Sequence, residues 1–136
     1  TVGAMIAESD LKDLGMHTEM LVDAFYLMYK EGRLTNKLKA VDRDKASWAF
    51  ALGSQEMYDW IDDNPFLAAY PVDYVNDPFV IAQLDNFISI NNCVDIDLFG
   101  QISSESSGTH HISGSGGRVS FPRRQEHHRL AFDLPQ

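Results

Sequence analysis

Between residues 14 and 61 the apolar pattern switches back and forth between two periods, and few folds accommodate such a chain. Residues 14–19 read as a short extended segment. In residues 20–31, Met20, Leu21, Ala24, Phe25, Leu27 and Met28 recur at the three-and-four spacing of an amphipathic helix, and Gly32 is a natural stop. Residues 46–52 place Trp48, Phe50 and Leu52 on one side of a strand. Gly53-Ser54 then turns the chain, and Ser54 is placed to cap a helix over 55–61 that carries Met57, Tyr58, Trp60 and Ile61. Asp62-Asp63-Asn64-Pro65 ends it. Strands separated by helices need crossover connections, which make neighbours parallel and lay helices on the sheet. The expected fold is therefore α/β, a mostly parallel sheet with flanking helices.

The flanking segments fit that frame. Residues 4–7 read as the tail of a helix, and 33–45 as a polar surface connection with room for a short strand. Residues 66–74 are apolar and aromatic around Pro71, which limits helix. Asn76-Asp77-Pro78 is a helix entry, with Asn76 or Asp77 capping and Pro78 in the first turn of a short helix reaching Leu84. Residues 86–117 join Phe87, Ile88, Ile90, Cys93, Val94, Ile96, Leu98 and Phe99 to a loop rich in serine and glycine. That apolar content is expected of a central strand or strand pair. Ligands in α/β proteins collect outside the carboxyl ends of strands, so the loop over 103–117 is the first place to look for a site.

A chain of 136 residues fits one domain with a real core. Its net charge of −9 argues against nucleic acid as a partner, because phosphate binding is driven by clustered Lys and Arg. Four of the 11 basic residues lie after Gly117, against two of the 20 acids, so the tail is basic where the body is acidic. No apolar run approaches the roughly 20 residues of a membrane helix. The single cysteine, Cys93, cannot form an internal disulfide and is expected as a buried, inert thiol. With no secretory leader pattern, a reducing cytoplasm is the expected location.

Several chemistries are weak on spacing alone. His110-His111 and His127-His128 invite a metal reading, but adjacent histidines project differently and no second spaced set of ligands accompanies them, so no metal site is expected. Gly114-Ser115-Gly116-Gly117 can aim backbone N–H groups at an anion or oxyanion, but lacks the Lys-Ser/Thr pair of a phosphate loop. No Gly-x-Ser-x-Gly elbow supports a serine hydrolase. Carboxylates remain as nucleophiles: Glu19, ending an extended segment directly before a helix, and Glu105, among serines in the loop. From spacing alone each reads first as a surface charge, and the strand-to-helix junction slightly favours Glu19.

Five stretches in fixed order resemble the C-terminal domain of the acetyl-CoA hydrolase/transferase family, closest to its 4-hydroxybutyrate and butyryl-CoA:acetate CoA-transferases. They are Leu14-Gly15-Met16-His17-Thr18-Glu19-Met20, then Tyr70-Pro71-Val72-Asp73-Tyr74-Val75-Asn76-Asp77-Pro78, Ser89-Ile90-Asn91-Asn92, Asp95-Ile96-Asp97-Leu98-Phe99-Gly100-Gln101 and Ser113-Gly114-Ser115-Gly116-Gly117. The resemblance implies an enzyme that moves CoA between an acyl group and a small carboxylic acid through a glutamate, with the CoA thioester as substrate and no further cofactor. The glutamate attacks the acyl-CoA to give an anhydride, released CoA converts this to a glutamyl-CoA thioester, and the acceptor acid takes the CoA. By the same resemblance Glu19 matches the nucleophile and Asn76 an asparagine that orients it. Gly114, Gly116 and Gly117 match a glycine loop near the reacting carbonyl and the CoA thiol. Glu105 stays as a rival, since Ser104-Glu105-Ser106-Ser107-Gly108 loosely resembles the nucleophile motif of related CoA-transferases.

The resemblance also marks departures. The N-terminal CoA-transferase domain of the family has no counterpart here, and after Gly117 the pattern is lost. Residues 1–117 are thus read as a partial C-terminal domain, incomplete at both ends, and 118–136 as a divergent basic tail for which a shifted reading frame is one account. On this reading the isolated segment is inactive, and sheet edges left open make pairing with another copy of the chain an open option. Two alternatives stand beside it: an inactive α/β fragment or interaction module, and a hydrolase in which water takes the acyl group.

Overall fold

The computed structural model describes residues 2–112, which divide into two units, the first ending at Asn86 and the second beginning at Phe87. In the first, three strands, β1 (His17–Leu21), β2 (Ala46–Ala51) and β3 (Leu67–Ala69), form a parallel sheet in the order β1-β2-β3. Their register sets Thr18 beside Trp48 and Met20 beside Phe50, and Trp48 beside Ala69. Helix α1 (Val2–Glu8) precedes β1, α2 (Asp23–Lys30) crosses from β1 to β2, and α3 (Gln55–Ile61) crosses from β2 to β3. The parallel α/β architecture expected from the alternating periods is the one observed.

The core gathers Ala7, Met16, Leu21, Met28, Leu34, Ala46 and Met57, with Phe25, Trp48, Trp60 and Phe66 among the residues packed against it. An aromatic stack joins α2 to the region beyond α3, Tyr29 lying 5.0 Å from the Trp60 ring and 4.8 Å from Phe66. Offset and tilted rings at such distances contribute beyond the area they bury. Helix α3 has the predicted bounds, and Ser54 caps it by accepting from the Met57 N–H. Asp23 ties the start of α2 to that cap, accepting from both the Ser54 N–H and its hydroxyl. Those bonds hold the Asp23 carboxyl below the usual carboxylate range.

After β3, Pro71 stands before the single turn α4 (Val72–Val75), and Asp77 caps α5 (Pro78–Ile81), accepting from the Phe79 N–H with Pro78 at the first helical position. Of the two capping candidates, Asp77 takes the cap of α5 and leaves the Asn76 side chain for other work.

Four expectations are corrected. The helical period read from Met20 begins too early: Met20 and Leu21 finish β1, and α2 starts at Asp23. Leu21 is buried as a strand residue, so it mimicked a helical core position. On β2, Phe50 is exposed and so is Leu52 just beyond, while Ala46 and Ser47 are buried. Residues 33–45 are not merely surface, since Leu34, Asn36 and Lys39 are buried there, and Leu34 forms a bridge with Leu14.

The fourth correction concerns the second unit. Its described part is no central strand but two short antiparallel hairpins, β4 (Asp95–Ile96) with β5 (Ile102–Ser103), and β6 (Ser106–Ser107) with β7 (His110–His111). Asp97 organises the first turn: its carboxylate accepts from the N–H groups of Phe99 and Gln101, and Gly100 supplies the positive φ of 81°. Ile88, Ile96, Leu98 and Phe99 are all exposed, and Cys93 is half-buried rather than buried. The β-branched and aromatic content favoured extended backbone but did not place these residues in the core of the described fold. No helix among the described residues is long and apolar enough to cross a membrane.

Candidate active site

Glu19 sits within β1, two residues before its end, rather than at the strand's last position. Side chains alternate along a strand, so His17 and Glu19 project to one face and Thr18 and Met20 to the other. Helix α4 lies against β1 and β2. The His17 Nε2 meets the carbonyl of Val75 in α4 at 2.7 Å, and a carbonyl can only accept, so Nε2 carries the proton. Burial is the largest influence on that imidazole and pushes its pKa below 6.5, against the bond to Val75.

One residue past Val75 the chain leaves α4 at Asn76, whose own N–H is held by the carbonyl of Val72 at 2.9 Å. From there the side-chain amide donates from Nδ2 to Glu19 Oε2 at 2.7 Å. Both residues are half-buried. The carboxylate therefore has one oxygen held by a neutral donor and a second available to attack an electrophile. A nucleophile needs that combination of fixed direction and a free lone pair. The Asn76 Oδ1 is buried and has no hydrogen-bond partner among the described residues.

The site's support comes from residues that sequence reading missed. Lys39, only 8% exposed, donates from Nζ to the carbonyls of Met16 and Lys45 and to Ser47 Oγ. Asn36 Oδ1 accepts from the Met16 N–H at 2.8 Å. Asp42 accepts from the hydroxyls of Ser47, Tyr70 and Tyr74. Burial, then the bond to Asp42, raises both tyrosines above their ordinary value, Tyr74 to about 12, so both remain donors. Runs of Asp and Lys in a polar stretch carry no mark of burial. A weak signal was present in Asn36, Asp42 and Asp44, which adopt positive φ and belong to the residue types that tolerate it.

The remaining candidates lie elsewhere. Glu105 is exposed between β5 and β6, and its backbone carbonyl accepts from the Ile112 N–H. His110 and His111 are exposed on β7, and no group of three metal-binding side chains gathers among the described residues. Gly114, Gly116, Gly117 and the His127-His128 pair lie outside the described residues. Of the predicted site, the structure brings together Glu19 and Asn76.

Residues 53–131 match the model of the acetyl-CoA hydrolase/transferase C-terminal domain. The chain is 59% identical over 120 residues to a protein of Syntrophomonas wolfei named probable butyrate:acetyl-CoA coenzyme A-transferase, covering 88% of this chain and 27% of that one. It is 46% identical over 112 residues to the 4-hydroxybutyrate coenzyme A transferase of Clostridium kluyveri, covering 82% of this chain and 26% of that one. Among solved structures, RipA from Yersinia pestis superposes with a TM-score of 0.87 at 40% identity, over 98% of this chain and 31% of the other. The chain thus spans about a quarter to a third of the length of the proteins it matches.

Proposed function

The chain belongs to the acetyl-CoA hydrolase/transferase family through its C-terminal domain, and from that premise we propose that it is the nucleophile-bearing part of a longer CoA-transferase. The substrates are an acyl-CoA, of the butyryl or 4-hydroxybutyryl kind, and a small carboxylic acid such as acetate. Glu19 is the nucleophile. The observation that carries this reading is the 2.7 Å bond from Asn76 to Glu19 Oε2, which holds a half-buried carboxylate with one oxygen free.

Each step balances without an outside reactant. The free oxygen of Glu19 attacks the thioester carbonyl, the C–S bond breaks, and CoA leaves as thiolate from an acyl-glutamyl anhydride. The thiolate then attacks the glutamyl carbonyl, the donor acid leaves as carboxylate, and Glu19 carries CoA as a thioester. The acceptor carboxylate reverses the sequence: it attacks the glutamyl thioester, CoA departs and returns to the acceptor's acyl carbon, and Glu19 is freed. In the steps at the glutamyl carbon, negative charge develops on an oxygen that the Asn76 amide already reaches, where an oriented donor lowers the barrier. The family resemblance assigns Gly114, Gly116 and Gly117 to the acyl oxygen. The rest of the polypeptide supplies most of the CoA contacts, and binding energy remote from the reacting bond drives the chemistry. A segment of this length is accordingly expected to be nearly inactive alone.

The test is chemical. The complete enzyme mixed with acyl-CoA in the absence of acceptor should accumulate a hydroxylamine-sensitive enzyme-CoA thioester, and Glu19→Gln should abolish it. Full transfer activity in Glu19→Gln would overturn the assignment. Product analysis with and without acetate separates transfer from hydrolysis.

A further inference from the structure

A buried lysine is uncommon, and Lys39 is placed where the two halves of the candidate site meet. Its ammonium has three N–H donors and three acceptors at 2.7–2.8 Å: the carbonyl of Met16, the carbonyl of Lys45 and Ser47 Oγ. Met16 lies three residues before Glu19, and its N–H is held by Asn36, so both backbone polar groups at the entry to β1 are fixed by this one loop. A β-carbon at Gly15 would come within 2.8 Å of Lys39 Cγ, and the glycine before Met16 therefore makes room for the lysine stem.

The loop grips the other half as well. Ser47, which receives the Lys39 bond, donates to Asp42 Oδ2 at 2.9 Å. Asp42 also accepts from the Tyr74 hydroxyl at 3.1 Å, and Tyr74 stands in α4 two residues before Asn76. The loop thus holds the strand that carries Glu19 at one end and the helix that leads to Asn76 at the other.

We propose that the Lys39–Ser47–Asp42–Tyr74 chain is a positioning device that sets the Glu19–Asn76 geometry and is locked by the charged form of Lys39. The proposal rests on Glu19 being the nucleophile. Around Lys39 the titratable groups are Asp42 from its own loop, His17 from β1, Tyr70 beyond β3 and Tyr74 from α4. The imidazole is kept neutral by burial, and the phenols are kept protonated by burial and Asp42. Lys39 is the group that changes first on the alkaline side, because burial lowers it to about 8 against the pull of Asp42. A neutral amine has two N–H donors for three acceptors, so its deprotonation must release Met16, Lys45 or Ser47.

The experiment uses the complete enzyme and begins with formation of the enzyme-CoA thioester at neutral pH; its absence would count against the proposed function, not against the positioning chain. Given the thioester, kcat should fall along an alkaline limb centred at about pH 8. Lys39→Met should lower kcat about 100-fold, the scale set by small misplacement of a reacting group, with KM for acyl-CoA little changed and the limb absent. Lys39→Arg should recover part of the rate and move the limb upward, since a guanidinium stays charged. If Lys39→Met fails to fold, Tyr74→Phe is read instead, with about tenfold lower kcat and unchanged KM expected from partial loss of positioning. A wild-type profile flat between pH 7 and 10, or Lys39→Met and Tyr74→Phe enzymes with wild-type kcat, would overturn the proposal.

Discussion

The side-chain amide of Asn76 donates a 2.7 Å hydrogen bond to Glu19 Oε2 across 57 residues of sequence. The two meet because β1 runs beneath α4, where His17 grips the carbonyl of Val75 beside Asn76. An ionised carboxylate accepts only, so the amide must present its nitrogen, and one glutamate oxygen is thereby oriented while the other stays available.

Loss of that donor should act mainly on turnover. Asn76→Ala in the complete enzyme is expected to lower kcat about 100-fold, the range seen when one oxyanion donor is removed. Asn76→Asp should do more, because it replaces the donor at Glu19 Oε2 with a second acceptor. Steady-state kinetics at neutral pH would check both.

His17 makes stability sensitive to acid. Its folded pKa lies below the reference value of 6.5, chiefly through burial, so as pH falls past 6.5 the unfolded chain takes up a proton that the folded chain resists. The stability present above 6.5 is lost progressively below it. Urea unfolding midpoints at pH 7.5 and 5.5 should differ, and His17→Gln should reduce the difference.

Lys39 makes the opposite limb informative. Its folded value of about 8 lies below the reference value of 10.5, so between those values the unfolded chain binds more protons and stability rises with pH. The slope from this group approaches at most about 1.4 kcal/mol per pH unit and disappears in Lys39→Met. Thermal unfolding from pH 8 to 10 should show a rising contribution over the range in which kcat falls. That divergence separates positioning of the site from general loss of structure.

The cap of α3 is testable by stability alone. Ser54→Ala should destabilise the fold by about 1 kcal/mol, the usual cost of losing an N-cap. Asp23→Ala removes the acceptor of the same hydroxyl, so the double variant should cost less than the two singles together. Urea denaturation of the four proteins measures the coupling, and strict additivity would show that the two residues act independently.

These relationships differ in how far they could be read from sequence. Helix α3 and its Ser54 cap were legible because cap, period and stop are local and consecutive. Met20 and Leu21 were misassigned because two strand residues happened to continue a helical period, and a period cannot say which backbone buries a leucine. Leu98 and Phe99 carried the composition of a core strand yet stand exposed on a hairpin turn, since composition reports propensity rather than neighbours. Glu19 and Asn76 were paired through family resemblance, and no spacing rule joins positions so far apart. Lys39 was invisible because two of its three acceptors are backbone carbonyls, which every residue has. Only the fold selects those of Met16 and Lys45.

The central claim is that Glu19 carries the CoA, and peptide mapping tests it most directly. The complete enzyme is loaded with acyl-CoA without acceptor, reduced with borohydride to convert a glutamyl thioester to the alcohol, digested and mapped by mass spectrometry. The modification is predicted on Glu19, dependent on acyl-CoA and prevented by adding acetate with time for turnover. Modification of Glu105 instead, or none in an enzyme that is transferring CoA, would contradict the account.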